Sequence, residues 1–254
     1  MSPAGLRRAI ATGGGGEDWL ERLVQAVRKL QLGVPIEELV SEIDYLGRPF
    51  RWDSRSCFIR DYSSSYVAQI IEAYRGRQVR ILDVGCGAGH VIISLALELE
   101  GCFVGTDISE QAIELARENA ARYAAPIELY NADLFKAVRD RRFDIILANL
   151  PREYPATARI EPEETEFEPD VSIMDRSGQL HGLLIKFSQQ ACDYLMPGGV
   201  VYLELPSGIA NHPSTLGEPL VAIDGEVVGR RLTSPETTAL AGLLSVAVAE
   251  SCTS

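Results

Sequence analysis

Three short segments carry residues whose types and spacing could do chemistry. The first is Ile81-Leu82-Asp83-Val84-Gly85-Cys86-Gly87-Ala88-Gly89-His90. An apolar strand runs into a turn with glycine at alternate positions, and a helix follows. Side chains at those glycines would keep a ligand away from the backbone. Asp83, at the strand end, can reach the turn or the charged end of a ligand. The dinucleotide fingerprint G-x-G-x-x-G needs glycine at position 90, and His90 stands there instead. The second segment is Val104-Gly105-Thr106-Asp107-Ile108-Ser109, with its acid 22 residues after Gly85. A carboxylate at the end of a second strand can accept hydrogen bonds from both hydroxyls of a ribose. The third is Asn131-Ala132-Asp133-Leu134-Phe135. There an acid can accept an adenine amino group while an apolar neighbour covers the ring.

These segments need strand ends to hold them. Short apolar runs occur at 79–84, 102–106, 127–130, 143–148 and 200–205. Helical patterns stand between several of them, at 91–99, 110–123 and 179–195. Strands alternating with helices predict an α/β fold with a mostly parallel sheet covered on both faces. Ahead of the sheet, Leu20, Leu23, Val24, Val27 and Leu30 recur at helical spacing. With a break near Gly33-Val34-Pro35 and a second helix from Ile36, this predicts a small helical cap reaching about Leu46. An extended stretch at 48–59 and a helix at 63–73 lead into the core. The chain divides into a tail expected to be disordered (1–16), the cap and its connection (17–62) and the cofactor-binding domain (63–254). Near the end, Asp224-Gly225 predicts a hairpin turn, and Ser234-Pro235-Glu236 a helix start capped by Ser234. The apolar run 239–249 reads as a packed helix or a self-association surface, the latter giving a homodimer.

Composition narrows the partners. A net charge of −12 repels phosphate backbones, so nucleic acid is not expected as substrate. The five cysteines form no C-x-x-C pair and the three histidines are isolated, which predicts reduced thiols, a cytoplasmic setting and no metal site. No apolar run reaches the length of a membrane span.

The ordered set of glycine turn, second-strand acid and third-strand acid resembles the class I methyltransferases that use S-adenosylmethionine. The resemblance is nearest to the HemK/PrmC type, which methylates glutamine side-chain amides of release factors, and it covers about 35–205. Pro35-Ile-Glu-Glu-Leu-Val with Gly47-Arg-Pro-Phe50 resembles that family's cap-to-core connection. Arg60 is kept from its R-P-E-T stretch, Phe167-Glu168-Pro169 matches its F-E-P element, and Pro197-Gly198-Gly199 precedes the fifth strand. The resemblance implies a seven-stranded Rossmann-like sheet whose first five strands are ordered 3-2-1-4-5. It also implies a cofactor, S-adenosylmethionine, bound through Asp83, Gly85, Cys86, Gly87, Asp107, Ile108, Asp133, Leu134 and Asn149.

The family's N-P-P-Y motif falls on Asn149-Leu150-Pro151-Arg152. In that motif the asparagine oxygen and a proline carbonyl accept hydrogen bonds from the target amide nitrogen, and the aromatic ring stacks on the amide. The resemblance therefore makes Asn149 and Pro151 catalytic, with Tyr154 as the nearby ring. Leu150 and Arg152 depart from the pattern. The departure, with the acidic charge, leads to the expectation of a small-molecule acceptor: an amine, amide or hydroxyl in a biosynthetic pathway. Arg60, Tyr62, Arg152, Glu168 and Glu204 are its candidate contacts, with Ser207 close to the last. The acids of 161–170 could attract a cationic amine. Three alternatives stay open: a protein glutamine acceptor, closure of a four-membered amino-acid ring from the cofactor itself with release of methylthioadenosine, and non-catalytic cofactor binding. His90 and Cys86 are read as packing residues.

Overall fold

The computed structural model describes residues 41–151, 181–205, 210–211, 217–221 and 227–251, together with Arg28 and Gln31. The chain first forms a hairpin of β1 (Glu42–Tyr45) and β2 (Arg48–Arg51). Expected helix up to Leu46 is thus strand from Glu42 onward. Its apolar residues explain why: Ile43, Tyr45 and Phe50 are buried and follow the two-residue period of a strand. The two-residue turn Leu46-Gly47 has positive φ at both positions (50° and 77°), the geometry that matches hairpin twist. Tyr45 sets its ring edge-on to His90, centroids 4.8 Å apart, and Phe50 meets Tyr123 at 5.3 Å, so the hairpin is part of the core. The expected cap helices at 17–40 lie outside the described residues, apart from Arg28 and Gln31, which are helical.

Next come α1 (Ser64–Tyr74), β3 (Gln78–Val84), α2 (His90–Glu98), β4 (Glu100–Asp107), α3 (Glu110–Tyr123), β5 (Ile127–Asn131) and β6 (Phe143–Ala148). The chain continues through α4 (Gly182–Ala191), a short 3-10 turn (Cys192–Tyr194), β7 (Leu195–Glu204), β8 (Glu218–Val221), β9 (Val227–Thr233) and α5 (Ser234–Ser251). Strands β3–β9 form one seven-stranded sheet in the order β5-β4-β3-β6-β7-β9-β8. The first five are parallel, and β9 runs antiparallel between β7 and β8. This is the expected 3-2-1-4-5 order extended by two strands, the Rossmann-like class I methyltransferase arrangement.

Alternation along the strands divides the core. Ile81, Phe103, Ile145 and Val200 face the hairpin and α2, and Leu82, Ile146 and Val201 face the side where Leu184 and Phe187 of α4 and Leu240 of α5 pack. Two boundaries differ from expectation. Strand β7 begins at Leu195 rather than Val200, with a register shift where Pro197-Gly198-Gly199 inserts opposite Phe143/Ile145. The last helix is capped one residue earlier than Ser234. Thr233 donates its backbone N–H to Glu236 Oε2 (2.8 Å), one half of a T-x-x-E capping box.

The chain runs outward from β3 through β4 to β5, then crosses back to place β6 on the other side of β3. That switch point opens a crevice at the carboxyl ends of the strands, and the chemistry-bearing segments converge on it.

Candidate active site

Backbone hydrogen bonds build the half of the crevice that carries the glycine turn. Gly85 and Cys86 both donate N–H to the Thr106 carbonyl (2.7 and 3.0 Å), stitching the end of β3 to β4. Gly87 then donates to Asp107 Oδ2 at 2.9 Å, and Ser109 donates to Asp107 Oδ1 at 2.8 Å. Gly85 and Gly87 have φ of 77° and 52°, where L side chains are strained. A Cβ on Gly85 would lie 3.1 Å from Leu150 Cδ2, and one on Gly87 would lie 3.2 Å from Ser56 Oγ. The turn is therefore enclosed by the exit of β6 on one side and the segment after β2 on the other. Cys86 is buried, and burial raises its thiol well above the ordinary range, as fits a packing residue. His90 opens α2, and burial lowers its imidazole to about 4.

Sheet register lines up the rest. Val84 pairs with Thr106 and Ala148, and Ala148 pairs with Leu203. One step further along, Asp107, Gly85, Asn149 and Glu204 stand level across four strands. Asp83 sits two residues back along β3, buried, with its carboxyl pushed up to about 7 by burial, then by the charges of Asp107 and Glu204. Burial also raises Asp107, against the backbone N–H groups of Ser109, Gly87 and Ile108. An ionised carboxylate has about four lone-pair sites, so capacity for a further hydroxyl donor remains beyond these backbone N–H groups. Beside it, Ile108 is 60% exposed, an apolar surface at the edge of the crevice.

Asp133 follows β5 and is gripped by Lys186 (2.9 and 3.1 Å) and Lys136 (2.9 Å). Burial acts to raise its carboxyl, but the two ammonium groups outweigh it and hold it below the usual range. Asp133 thus stays an ionised acceptor, suited to an amino N–H. Leu134 is buried, with its backbone at φ 51°.

On the acceptor side, Asn149 is exposed, Leu150 is buried and Pro151 is half-buried. Glu204 is buried at 3% exposure and accepts a hydrogen bond from Tyr66 of α1 (2.9 Å), whose ring stacks on Tyr202. Arg60 lays its guanidinium over Phe58 and reaches Cys57 Sγ at 3.5 Å, while Tyr62 is largely exposed. Arg152, Tyr154, Glu168, Ser207 and the acids of 161–170 lie outside the described residues. Sequence reasoning missed Ser56, Tyr66, Asn119 and Lys186. Each is brought to the site by contacts with segments distant in sequence, and none sits in a spaced motif.

Residues 76–227 match the family model described as a methyltransferase domain. A release factor glutamine methyltransferase of Lactococcus lactis is 30% identical over 190 residues, covering 73% of this chain and 69% of the relative. The chain belongs to the S-adenosylmethionine-dependent methyltransferases, in the HemK/PrmC-type branch. A ribosomal protein uL3 glutamine methyltransferase of Xanthomonas campestris is 31% identical to this methyltransferase, covering 70% of this chain and 59% of the relative. Among solved structures, a Thermus thermophilus 16S rRNA N2 G1207 methyltransferase aligns with a TM-score of 0.48 and 19% identity, over 65% of this chain and 41% of its own. The methyltransferase uses S-adenosylmethionine, and the site fits that cofactor on its own chemistry. Asp83 is a buried carboxyl group just before the glycine turn, where the charged end of the cofactor would supply a counter-charge.

Proposed function

We propose that this methyltransferase methylates the side-chain amide nitrogen of a glutamine in a protein. The relatives act, by name, on release factors and on ribosomal protein uL3. The observation that supports extending this here is the placement of Leu150. Its side chain is buried and turned toward Gly85, while Asn149 is exposed beside it. Leucine at this position keeps a main-chain carbonyl as proline would, and Pro151 of the motif is retained. Of the two departures that suggested a small-molecule acceptor, Leu150 reads as a core-packing change and Arg152 lies outside the described residues, and the named relatives favour a protein instead.

In this reading the cofactor supplies an electrophilic methyl on sulfonium. Asp107 accepts from a ribose hydroxyl, Asp133 from the adenine amino group, and Ile108 with Leu134 flanks the ring. Asp83 faces the charged amino-acid end, and Gly85, Cys86 and Gly87 let the ligand approach the backbone. The Asn149 side-chain oxygen and one main-chain carbonyl of the Leu150-Pro151 stretch accept the two amide N–H groups. That directs the nitrogen at the methyl carbon, and positioning carries most of the rate. When bound, the cofactor would supply the methyl group and leave as S-adenosylhomocysteine with the electron pair of the carbon–sulfur bond, while these oxygens would hold the nitrogen in line and its displaced proton would pass to solvent.

The test is incubation with methyl-labelled S-adenosylmethionine and a purified release factor, in parallel with a small-molecule extract. Label on a release-factor glutamine with stoichiometric S-adenosylhomocysteine supports the reading. Label confined to the extract returns the small-molecule acceptor, and methylthioadenosine without label transfer returns ring closure of the cofactor.

A further inference from the structure

Asn119 of α3 has no solvent exposure, and its amide joins three parts of the fold. Its Oδ1 accepts the Arg51 backbone N–H at 2.8 Å, and its Nδ2 donates to the Arg51 carbonyl at 3.0 Å. The same Nδ2 donates to the Ala88 carbonyl at 3.0 Å. Ala88 follows Gly87, whose N–H is held by Asp107. The glycine turn is thus gripped on successive residues, by a carboxylate from β4 and by a carboxamide from α3.

The Arg51 end of this grip starts a segment that lies over the turn. Ser56 is 1% exposed, and its Oγ would sit 3.2 Å from a Cβ on Gly87. Trp52, itself buried, donates Nε1–H to the Cys57 carbonyl at 3.1 Å, closing the segment on itself. An outer clasp reinforces it. Arg55 bonds both oxygens of Asp53 (2.8 and 2.9 Å) and reaches Glu118 of α3 at 2.9 Å, and Arg51 takes the other Glu118 oxygen at 2.9 Å. These contacts raise the Arg55 guanidinium and lower the Glu118 carboxyl, as expected for a formed pair.

We propose that Asn119 is a positioning residue for the cofactor: through it, α3 holds residues 52–58 against the glycine turn, so that this segment walls the S-adenosylmethionine site and sets how fast the cofactor leaves. The inference rests on the reading that the glycine turn and Asp107 hold the cofactor. A buried amide with every polar atom engaged fixes its partners in one arrangement, because releasing any of them leaves an unsatisfied group. Aligning wall and turn in advance removes an ordering cost from binding, and such gains show mainly in the dissociation rate.

Stopped-flow displacement of S-adenosylmethionine by excess S-adenosylhomocysteine tests this on the full chain. With Trp19→Phe as background, Trp52 remains as the sole tryptophan and reports from inside the wall. Asn119→Asp keeps the acceptor for Arg51 and loses both donations. It should speed dissociation more than about tenfold, measured well below its own melting temperature. Arg55→Ala opens only the outer clasp and should speed dissociation about three- to tenfold with Tm changed by no more than about 3 °C. Dissociation within about twofold of wild type in both variants, with Tm alone lowered, would make Asn119 a purely structural residue and overturn the proposal. Should Asn119→Asp fail to fold, Arg55→Ala decides alone. Asp107→Ala separates the underlying reading: binding equal to wild type there would move the cofactor away from the turn and overturn both.

Discussion

The two halves of the crevice are built on different principles. On the side of the glycine turn, where the cofactor is proposed to bind, main-chain groups of β3 and β4 bond to each other and to one carboxylate, and Asn119 ties the same turn to the hairpin. Its geometry follows from backbone register, so it tolerates little change in sequence. On the acceptor side, Asn149 is an exposed side chain at the exit of β6, next to a leucine whose side chain belongs to the core. There the chain can change residue types while keeping the carbonyls in place. A shared cofactor with altered acceptor motifs is what such a division permits.

The division is broken most severely at Asn149. We expect Asn149→Ala to lower the rate of methyl transfer about 10²–10³-fold, the usual loss for a group that positions or stabilises the reacting centre. Affinity for S-adenosylmethionine should change by less than about threefold, since the cofactor contacts of the glycine turn remain. Single-turnover kinetics beside calorimetry separates the two. A parallel loss of cofactor affinity would erase the distinction between the halves.

Asp107→Ala is the reciprocal case. It removes the hydroxyl acceptors and leaves the Gly87 N–H without its carboxylate, which should weaken S-adenosylmethionine binding by about 1–3 kcal/mol, roughly 5- to 150-fold. With saturating cofactor, the methyl-transfer rate should fall far less than in Asn149→Ala.

Leu150→Pro sharpens the comparison at a position that belongs to both halves. The smaller side chain leaves space beside Gly85, so stability should fall by about 1–2 kcal/mol in chemical denaturation. Turnover should stay within about threefold of wild type, because the carbonyl at this position is retained. A large loss of turnover with intact stability would show that the leucine side chain itself meets the acceptor.

The same division decides what could be read in the sequence. The five parallel strands, the glycine turn, Asp107 and Asp133 were legible because each lies in a local pattern: a strand-length apolar run, alternate glycines, an acid just past a strand. The hairpin was not, because Ile43 and Tyr45 follow a helical pattern closely enough to be absorbed into it. The packing of Tyr45 against His90 and of Phe50 against Tyr123 settles the strand period. Asn119 and Lys186 were illegible for a different reason. One is an asparagine on an otherwise ordinary amphipathic helix and the other a lysine on a helix, yet their partners are 31 to 68 and 53 residues away. Leu150 was read as a lost motif residue, since sequence shows the side-chain type and not the direction in which it packs.

At Asp83 the expected effect is a pH dependence, and its sign separates folding from binding. Its carboxyl is raised to about 7, first by burial and then by Asp107 and Glu204. An acid whose folded-state value lies above its unfolded one binds a proton more tightly when folded. Its contribution to stability is full below about pH 4 and is lost as pH rises through about 7. The unliganded protein should therefore melt at a lower temperature at pH 8 than at pH 6, as far as this group is concerned. Cofactor binding should run the other way, because the charged end of S-adenosylmethionine favours the ionised carboxylate. If binding requires that form, affinity should rise about tenfold between pH 6 and pH 8 and level off above. Calorimetry in two buffers of different ionisation enthalpy should show proton release on binding near pH 6. His90, lowered to about 4 by burial, does not titrate in this window. Asp83→Asn should flatten both slopes. If the affinity slope persists in Asp83→Asn, another group carries it, and Asp83 is not the counter-charge of the cofactor.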